Sequence, residues 1–177
     1  MKTKSLILLM ILGSFITCKS QVSNRNVQER KETQAILNSY FDGFENRGIH
    51  FNNKILQNYE GKHWSHLINP FHLSLIQNFN IKNESDVVHF ENLFKEEIEF
   101  LQKSSRSFRI EKWTEILDKK NIVDSGTSML SLSSPAFDRS LNYAIFYLSS
   151  NEGGSLIIFK KEGNKWVYFA SGMVWIS

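Results

Sequence analysis

The stretch that decides the fold runs from residue 143 to residue 176 and reads YAIFYLSSNEGGSLIIFKKEGNKWVYFASGMVWI. Its side chains alternate with a period of two, which is the period of a β-strand. Tyr143, Ile145 and Tyr147 point to one side, and the residues between them point to the other. The C-terminal part of the chain is therefore predicted to be a β-sheet.

Short turns divide this stretch into strands. The NEGG sequence at 151–154 and the EGN sequence at 162–164 are typical of tight connections between antiparallel strands. Gly153 and Gly154 are expected to supply positive φ angles in the first turn. Trp166 and Trp175 are expected to fill the core under the sheet. The pattern predicts an antiparallel β-meander.

The N-terminal half has the period of a helix instead. A helix is predicted to begin at Asn26, with Glu29 in the capping-box position, and to end at Gly43 or Gly48. Apolar residues that fall on one face of this helix are Ile36, Leu37, Tyr40, Phe41 and Phe44.

A second helix is predicted from 86 to 103, capped by Ser85. Its apolar stripe consists of Val87, Phe90, Phe94, Ile98 and Leu101. We expect this helix to lie on the sheet with Phe94 buried. The segment 49–83 has no clear period, and 108–119 fits either a strand or a short helix. The class is α+β, with N-terminal helices packed on the C-terminal meander in one domain, residues 26–177.

The first seventeen residues have the features of a signal peptide. Lys2 and Lys4 make the start positive, and the eleven residues from Leu6 to Ile16 are apolar except for Gly13 and Ser14. A bilayer core needs roughly twenty apolar residues in a helix, so this stretch is too short for a stable span.

Cys18 is the only cysteine and follows the leader directly. A single cysteine cannot form an internal disulfide, whereas lipid attachment to its thiol explains it. This interpretation makes residues 18–25 a lipid-anchored tether and places the protein on a membrane of the bacterial cell envelope. Cleavage after Ser20 by ordinary signal peptidase is the alternative, and it would release a soluble periplasmic protein.

The charge of the chain argues against nucleic acid as a partner. Removal of Lys2 and Lys4 with the leader lowers the formal net charge from +3 to +1. Nucleic-acid binders usually carry a basic excess or stripe. The expected partners are the membrane, through the N-terminal lipid, and an envelope protein or ligand.

Three of the five histidines, His63, His66 and His72, lie close together with Glu60 nearby. His63 and His66 would share one face of a helix and could bind a metal ion, and Glu60 has the carboxylate–histidine spacing of di-iron bundles. Ordinary hydrogen bonds explain them better, since the second motif that such bundles need is missing. We therefore expect no metal or other cofactor and a non-enzymatic binding role. A metal-assisted hydrolase that uses these histidines is the alternative.

The C-terminal strands also contain a series of short motifs. These are SPAFD at 134–138, YAIFY at 143–147, Gly153-Gly154, FKK at 159–161, Lys165-Trp166 and the closing Trp175-Ile176-Ser177. They resemble the C-terminal half of a set of uncharacterised exported bacterial proteins. The resemblance implies export and a β-meander ending in Trp-Ile-Ser. It implies no activity, and this chain departs from those relatives in lacking their longer, cysteine-containing turn near 149–154.

Overall fold

The structure is a computed structural model. It describes residues 24–44, 47–56, 97, 99–101, 104, 108, 110–124 and 129–176, with Met129 and residues 173–176 described by their backbone alone. The predicted leader, Cys18 and the histidine cluster lie outside these residues, and so does Phe94.

Helix α1 spans residues 24–44. The predicted apolar face is confirmed, because Ile36, Leu37 and Phe41 are fully buried. The predicted cap is wrong, since Asn26 lies inside the helix. Glu29 is not a capping residue either, because its carboxylate is buried and accepts a hydrogen bond from Arg25 at 2.8 Å.

The end of α1 differs slightly from the prediction. Gly43 lies within the helix, and a turn follows it in which the Arg47 amide donates to the Phe44 carbonyl at 2.9 Å. Gly48 adopts a φ of 66° in this turn. A side chain with a Cβ disfavours that conformation, so a glycine suits this position.

Within the described residues, seven strands form one sheet in the order β2-β1-β3-β5-β6-β7, with β4 also paired to β5. Their bounds are β1 His50–Asn52, β2 Ile122–Val123, β3 Met129–Leu132, β4 Ala136–Phe137, β5 Tyr143–Ser149, β6 Gly153–Glu162 and β7 Lys165–Ile176.

The sheet is mixed. Strands β5, β6 and β7 are antiparallel neighbours, but β1 pairs in parallel with both β2 and β3. The class α+β is therefore correct, whereas a purely antiparallel meander under several helices is not confirmed. A three-residue strand such as β1 leaves almost no periodic signal, and its partners are distant in sequence.

Strands β3 and β4 run along the same edge of β5, and Ser133 connects them. Its amide donates to the Tyr147 carbonyl at 2.8 Å, and its hydroxyl accepts from the Tyr147 amide at 2.9 Å. The same hydroxyl donates to the Ser134 carbonyl at 2.9 Å. Ser133 thus supplies hydrogen bonds along this edge of β5. Pro135, two residues later, lacks an amide hydrogen and cannot donate one.

The turn between β6 and β7 is a two-residue hairpin. Glu162 pairs with Lys165, and Gly163 has a φ of 61°. A glycine with positive φ at the first central position is typical of a type II′ turn, which matches the twist of the strands. The prediction for Gly153 and Gly154 is wrong: both lie in β6, and neither has a positive φ angle.

Both faces of the sheet centre are buried. Ala144 and Phe146 pair with Phe159 and Ile157 on the face that belongs to the same core as Ile36, Leu37 and Phe41 of α1. On the opposite face, Ile145 pairs with Ile158, and both are fully buried. Strand β5 is thus an internal strand of the domain.

A short 3-10 helix, Trp113–Glu115, resolves the ambiguous segment 108–119. Asn53 fixes it: the Asn53 carbonyl accepts from the Trp113 amide at 2.9 Å, and its side-chain oxygen accepts from the Thr114 amide at 3.0 Å. Trp113 is fully buried and contacts Phe108. Trp166 is only half-buried beside the core, and the side chain of Trp175 lies outside the described residues.

Part of the second predicted helix is described. Residues 97, 99–101 and 104 are helical, and Leu101 is fully buried. Ser104 is buried as well, and its hydroxyl accepts from the Phe137 amide at 3.3 Å. These contacts dock the segment against β4.

Candidate ligand-binding groove

A groove of about 630 Å³ separates the C-terminal half of α1 from the sheet. It exists because α1 covers the centre of the sheet face but not strand β7 at its edge. The helix contributes Ile36, Ser39, Tyr40, Gly43 and Phe44, followed by Arg47; the strands contribute Leu148, Ser155, Ile157, Phe159, Trp166, Tyr168 and Ser171.

Five of the thirteen residues that line the groove are aromatic, and Tyr40 packs against two of the others. Its ring centroid is 4.9 Å from that of Phe44 and 5.5 Å from that of Phe159, both in edge-to-face geometry. Phe159 contacts Tyr168 in the same way at 6.3 Å. Edge-to-face packing fixes ring orientation, so the wall is largely pre-formed.

Two tyrosine hydroxyls provide polar groups in this apolar wall. Burial, and to a smaller degree the neighbouring Tyr168, raises the pKa of Tyr40 well above its usual value. Tyr40 therefore stays protonated at neutral pH and keeps a hydrogen to donate. The Tyr168 hydroxyl donates to the Ser171 hydroxyl at 2.5 Å, although 55% of the Tyr168 surface remains exposed.

Trp166 is held in place by Glu32 of α1. The indole Nε1 donates to one Glu32 carboxylate oxygen at 2.6 Å, and the Lys161 ammonium contacts the other at 2.6 Å. Burial alone would raise the pKa of Glu32, but the hydrogen bonds from Lys161 and Trp166 lower it below its usual value. The ionised carboxylate thus orients the ring at the end of the groove nearest Ile36.

Arg47 lies at the other end, beyond Phe44. Its guanidinium carbon is 5.9 Å from the centre of the Phe44 ring. Among the residues that line the groove, Arg47 is the only one with a formal charge. The groove is therefore apolar along its length and positive where α1 ends.

Gly43 keeps the helical wall open. A Cβ placed on Gly43 would meet nothing within 4 Å. Glycine inside a helix costs roughly 0.5–1 kcal/mol relative to alanine. Close packing does not require a glycine at this position, since there is space for a side chain.

Two further cavities border the described part of the chain. One of about 290 Å³ lies beside the groove and shares Leu148 and Ser155 with it. The other, of about 470 Å³, lies between α1 and the 3-10 helix, and charges of both signs line it, including Arg30 and Asp118. Such a surface is easily solvated, which makes the aromatic groove the better candidate.

The candidate site residues singled out from the sequence are not among those that the structure describes. Glu60, His63, His66 and His72 lie outside the described residues, as does Cys18. Within the residues that are described, no three His, Cys, Asp or Glu side chains are grouped closely enough to hold a metal ion. Both the metal-site hypothesis and the lipid attachment stay predictions.

Comparison with known proteins assigns neither a family nor a function to the chain. The chain matches no protein-family model, no curated protein and no solved structure. The described helices also include none with the length and apolar character needed to cross a bilayer.

Proposed function

We propose that the protein is a ligand-binding domain of the bacterial cell envelope, tethered through a lipid on Cys18, and that the groove beside α1 receives an apolar ligand. The observation that carries this proposal is an open, pre-formed aromatic groove next to Gly43, a glycine that packing does not require.

The size and lining of the groove support binding of a small molecule. Ligand pockets are typically about 300–1,000 Å³, mostly apolar, with a few polar groups that fix orientation. The groove has that size, and its polar groups are the hydroxyls of Ser39, Ser155 and Ser171, the two tyrosine hydroxyls and the Arg47 guanidinium. Such groups suit recognition without a chemical step. The hydrolase alternative depends on histidines outside the described residues.

The finer architecture belongs to the same proposal. We infer that the helix predicted over 86–103 packs on the sheet, so that α1 and the groove rest on a rigid frame. Burial of Leu101 and the hydrogen bond from the Phe137 amide to the Ser104 hydroxyl support this arrangement.

A neutral apolar fluorophore tests the groove directly. The mature chain with Cys18→Ser, which cannot be acylated, is titrated with N-phenyl-1-naphthylamine in the absence of detergent. We expect saturable binding at one site. Gly43→Leu, which projects a side chain into the groove, should weaken this binding at least tenfold.

Gln28→Leu is the matched control, because Gln28 is exposed on α1 and does not line the groove. It should bind the fluorophore like the unsubstituted chain. Circular dichroism and urea unfolding verify that all three chains are folded. Absence of saturable binding, or equal binding by the Gly43→Leu chain, would overturn the proposal.

A further inference from the structure

The charge distribution of the groove specifies its ligand more closely. We infer that the ligand is an elongated apolar molecule with a single carboxylate, and that this carboxylate binds the guanidinium of Arg47. This inference rests on the proposed function and names the ligand class of the same groove.

Arg47 lines the groove and has no acidic partner among the residues that the structure describes, whereas several basic side chains elsewhere are paired. Arg25, Lys119, Arg139 and Lys161 each form an ion pair with a carboxylate at 2.5–2.8 Å. Within the described residues, Arg47 has no carboxylate within 4.0 Å, and its guanidinium instead lies near the Phe44 ring. Its charge is thus available at the groove.

The local chain places Arg47 where a ligand head group would lie. The Arg47 amide donates to the Phe44 carbonyl, and Gly48 reverses the chain with a φ of 66°. The Arg47 side chain, which follows α1, therefore lies at the end of the groove. A planar guanidinium can bind a carboxylate through two parallel hydrogen bonds, and an ammonium group cannot match that geometry.

The length of the groove indicates an elongated apolar body. Ile36 and Phe44 both line it and are separated by two helical turns, or about 12 Å at the rise of an α-helix. Trp166 lies beside Glu32 at the far end, and Arg47 lies beyond Phe44 at the near end. Lys161 is already paired with Glu32, and neither residue lines the groove, so that end offers an anion no unpaired cation. A carboxylate therefore has one favourable position in the groove.

Three compounds with the same alkyl chain and different head groups test this orientation. Dodecanoate, 1-dodecanol and dodecylamine compete with N-phenyl-1-naphthylamine for the mature Cys18→Ser chain at pH 7, below their micelle-forming concentrations. We expect dodecanoate to bind at least tenfold more tightly than dodecanol, a difference of about 1.4 kcal/mol. Dodecylamine should bind no better than dodecanol.

Arg47→Gln should abolish the preference for dodecanoate over 1-dodecanol, and both affinities are measured in the same chain, so that a change in fluorophore binding affects them equally. Arg30→Gln is the matched control, because Arg30 is an exposed arginine on α1 that lies outside the groove. It should keep the preference. The advantage of dodecanoate should also decrease with added salt, since salt screens a partly exposed ion pair.

The results separate this inference from the proposed function. Equal affinities for dodecanoate and dodecanol, tighter binding of dodecylamine, or an unchanged preference in the Arg47→Gln chain would overturn the carboxylate inference, even though the fluorophore still binds. If neither the fluorophore nor any of the three compounds binds, the proposed function itself is wrong.

Discussion

The two halves of helix α1 are held to the domain in different ways. The first half is fixed by charged groups and hydrogen bonds with defined geometry. The second half is fixed by aromatic and aliphatic packing, and it borders the groove. Hydrogen-bonded charges need complete pairing when buried, whereas apolar packing can stop at a groove without leaving a polar group unsatisfied. An open apolar groove can therefore lie beside the second half of α1 but not beside the first.

Arg25 shows how complete the pairing of the first half is. Its guanidinium donates to the Glu29 carboxylate at 2.8 Å, to the Asp138 carbonyl at 2.9 Å and to the Arg139 carbonyl at 3.0 Å. The same guanidinium lies 4.8 Å from the centre of the Phe100 ring. Arg25 thus connects α1 to the turn between β4 and β5 and to the helical segment around residue 100.

Two glutamates, one turn apart in this half, have opposite pKa shifts. Burial raises the pKa of Glu29 above its ordinary value of 4.5, although Arg25 and Ser104 counteract this effect. The pKa of Glu32 is lowered, because the hydrogen bonds from Lys161 and Trp166 outweigh its burial. Glu29 therefore favours the folded state most when protonated, and Glu32 favours it most when ionised.

The second half relies mainly on packing, although Asp42 also forms an ion pair with Lys119 at 2.5 Å on its exposed side. The rings of Phe41 and Phe51 lie 4.3 Å apart, and Tyr40 and Phe44 also contact Phe51. Phe51 belongs to β1, so this cluster joins the helix to the parallel part of the sheet. This cluster stabilises the fold because it removes apolar surface from water, and that effect depends little on the direction of the contacts.

The largest expected effect follows from removing a ring from that cluster. Phe41→Ala should lower the free energy of unfolding by about 3–5 kcal/mol, because Phe41 is fully buried and a cavity would remain. Urea unfolding followed by circular dichroism measures this loss. Val27→Ala is the control on the same helix: Val27 is 65% exposed, and its truncation should change stability by less than about 0.5 kcal/mol. A loss below about 1 kcal/mol for Phe41→Ala would contradict the packing of α1 on the sheet.

A smaller, pH-dependent effect is expected at the polar half. Arg25→Ala leaves the buried Glu29 carboxylate without its cation and should cost about 2–3 kcal/mol at pH 7, somewhat less than for a completely buried pair. Loss of Arg25 raises the pKa of Glu29 further, since burial is then less opposed. The resulting loss of stability applies only to the ionised form of Glu29. It therefore increases as the pH rises through that raised pKa, and it is absent below pH 4.5.

Urea unfolding at pH 7 and near pH 4 distinguishes this mechanism from a simple loss of packing. The cost of Arg25→Ala should be smaller at the lower pH, where Glu29 is protonated. Arg30→Ala, at an exposed position one turn on, should have little effect at either pH. An equal cost at both pH values would contradict the ion-pair mechanism and assign the loss to the contact with Phe100 and to the hydrogen bonds with the Asp138 and Arg139 carbonyls.

These two halves also show what a sequence can predict. The apolar face of α1 and the alternation in β5 were predicted correctly, because each depends on neighbours a few positions away. Strand β1 was not predicted, since its three residues are specified by partners more than seventy positions later. The role of Glu29 was misread for the same reason: its spacing suggested a local cap, whereas Ser104 and Arg25 bury it.

The groove could not be predicted either, because its walls come from α1, β5, β6 and β7. Only weak signals pointed to it. One is Gly43, a glycine between the apolar residues Phe41 and Phe44 near the end of the amphipathic pattern. The other is Tyr168, an aromatic residue that remains largely exposed on the edge strand. Neither residue indicates a site until the fold brings the two walls together.

The smallest effect concerns Gly43, and it has the opposite sign. Gly43→Ala should raise the free energy of unfolding by about 0.5–1 kcal/mol, because the helix gains a better helix former and the new methyl group meets nothing within 4 Å. Gly48→Ala is the matched control, since its Cβ would also be in open space but its φ is 66°. That substitution should cost about 1–2 kcal/mol, as left-handed backbone does for residues with a Cβ. Opposite signs in urea unfolding would show that Gly48 serves the turn, whereas Gly43 serves the groove at a cost to the helix. A loss of stability in the Gly43→Ala chain would mean that the fold itself needs the glycine, and the argument for a ligand beside it would lose its main support.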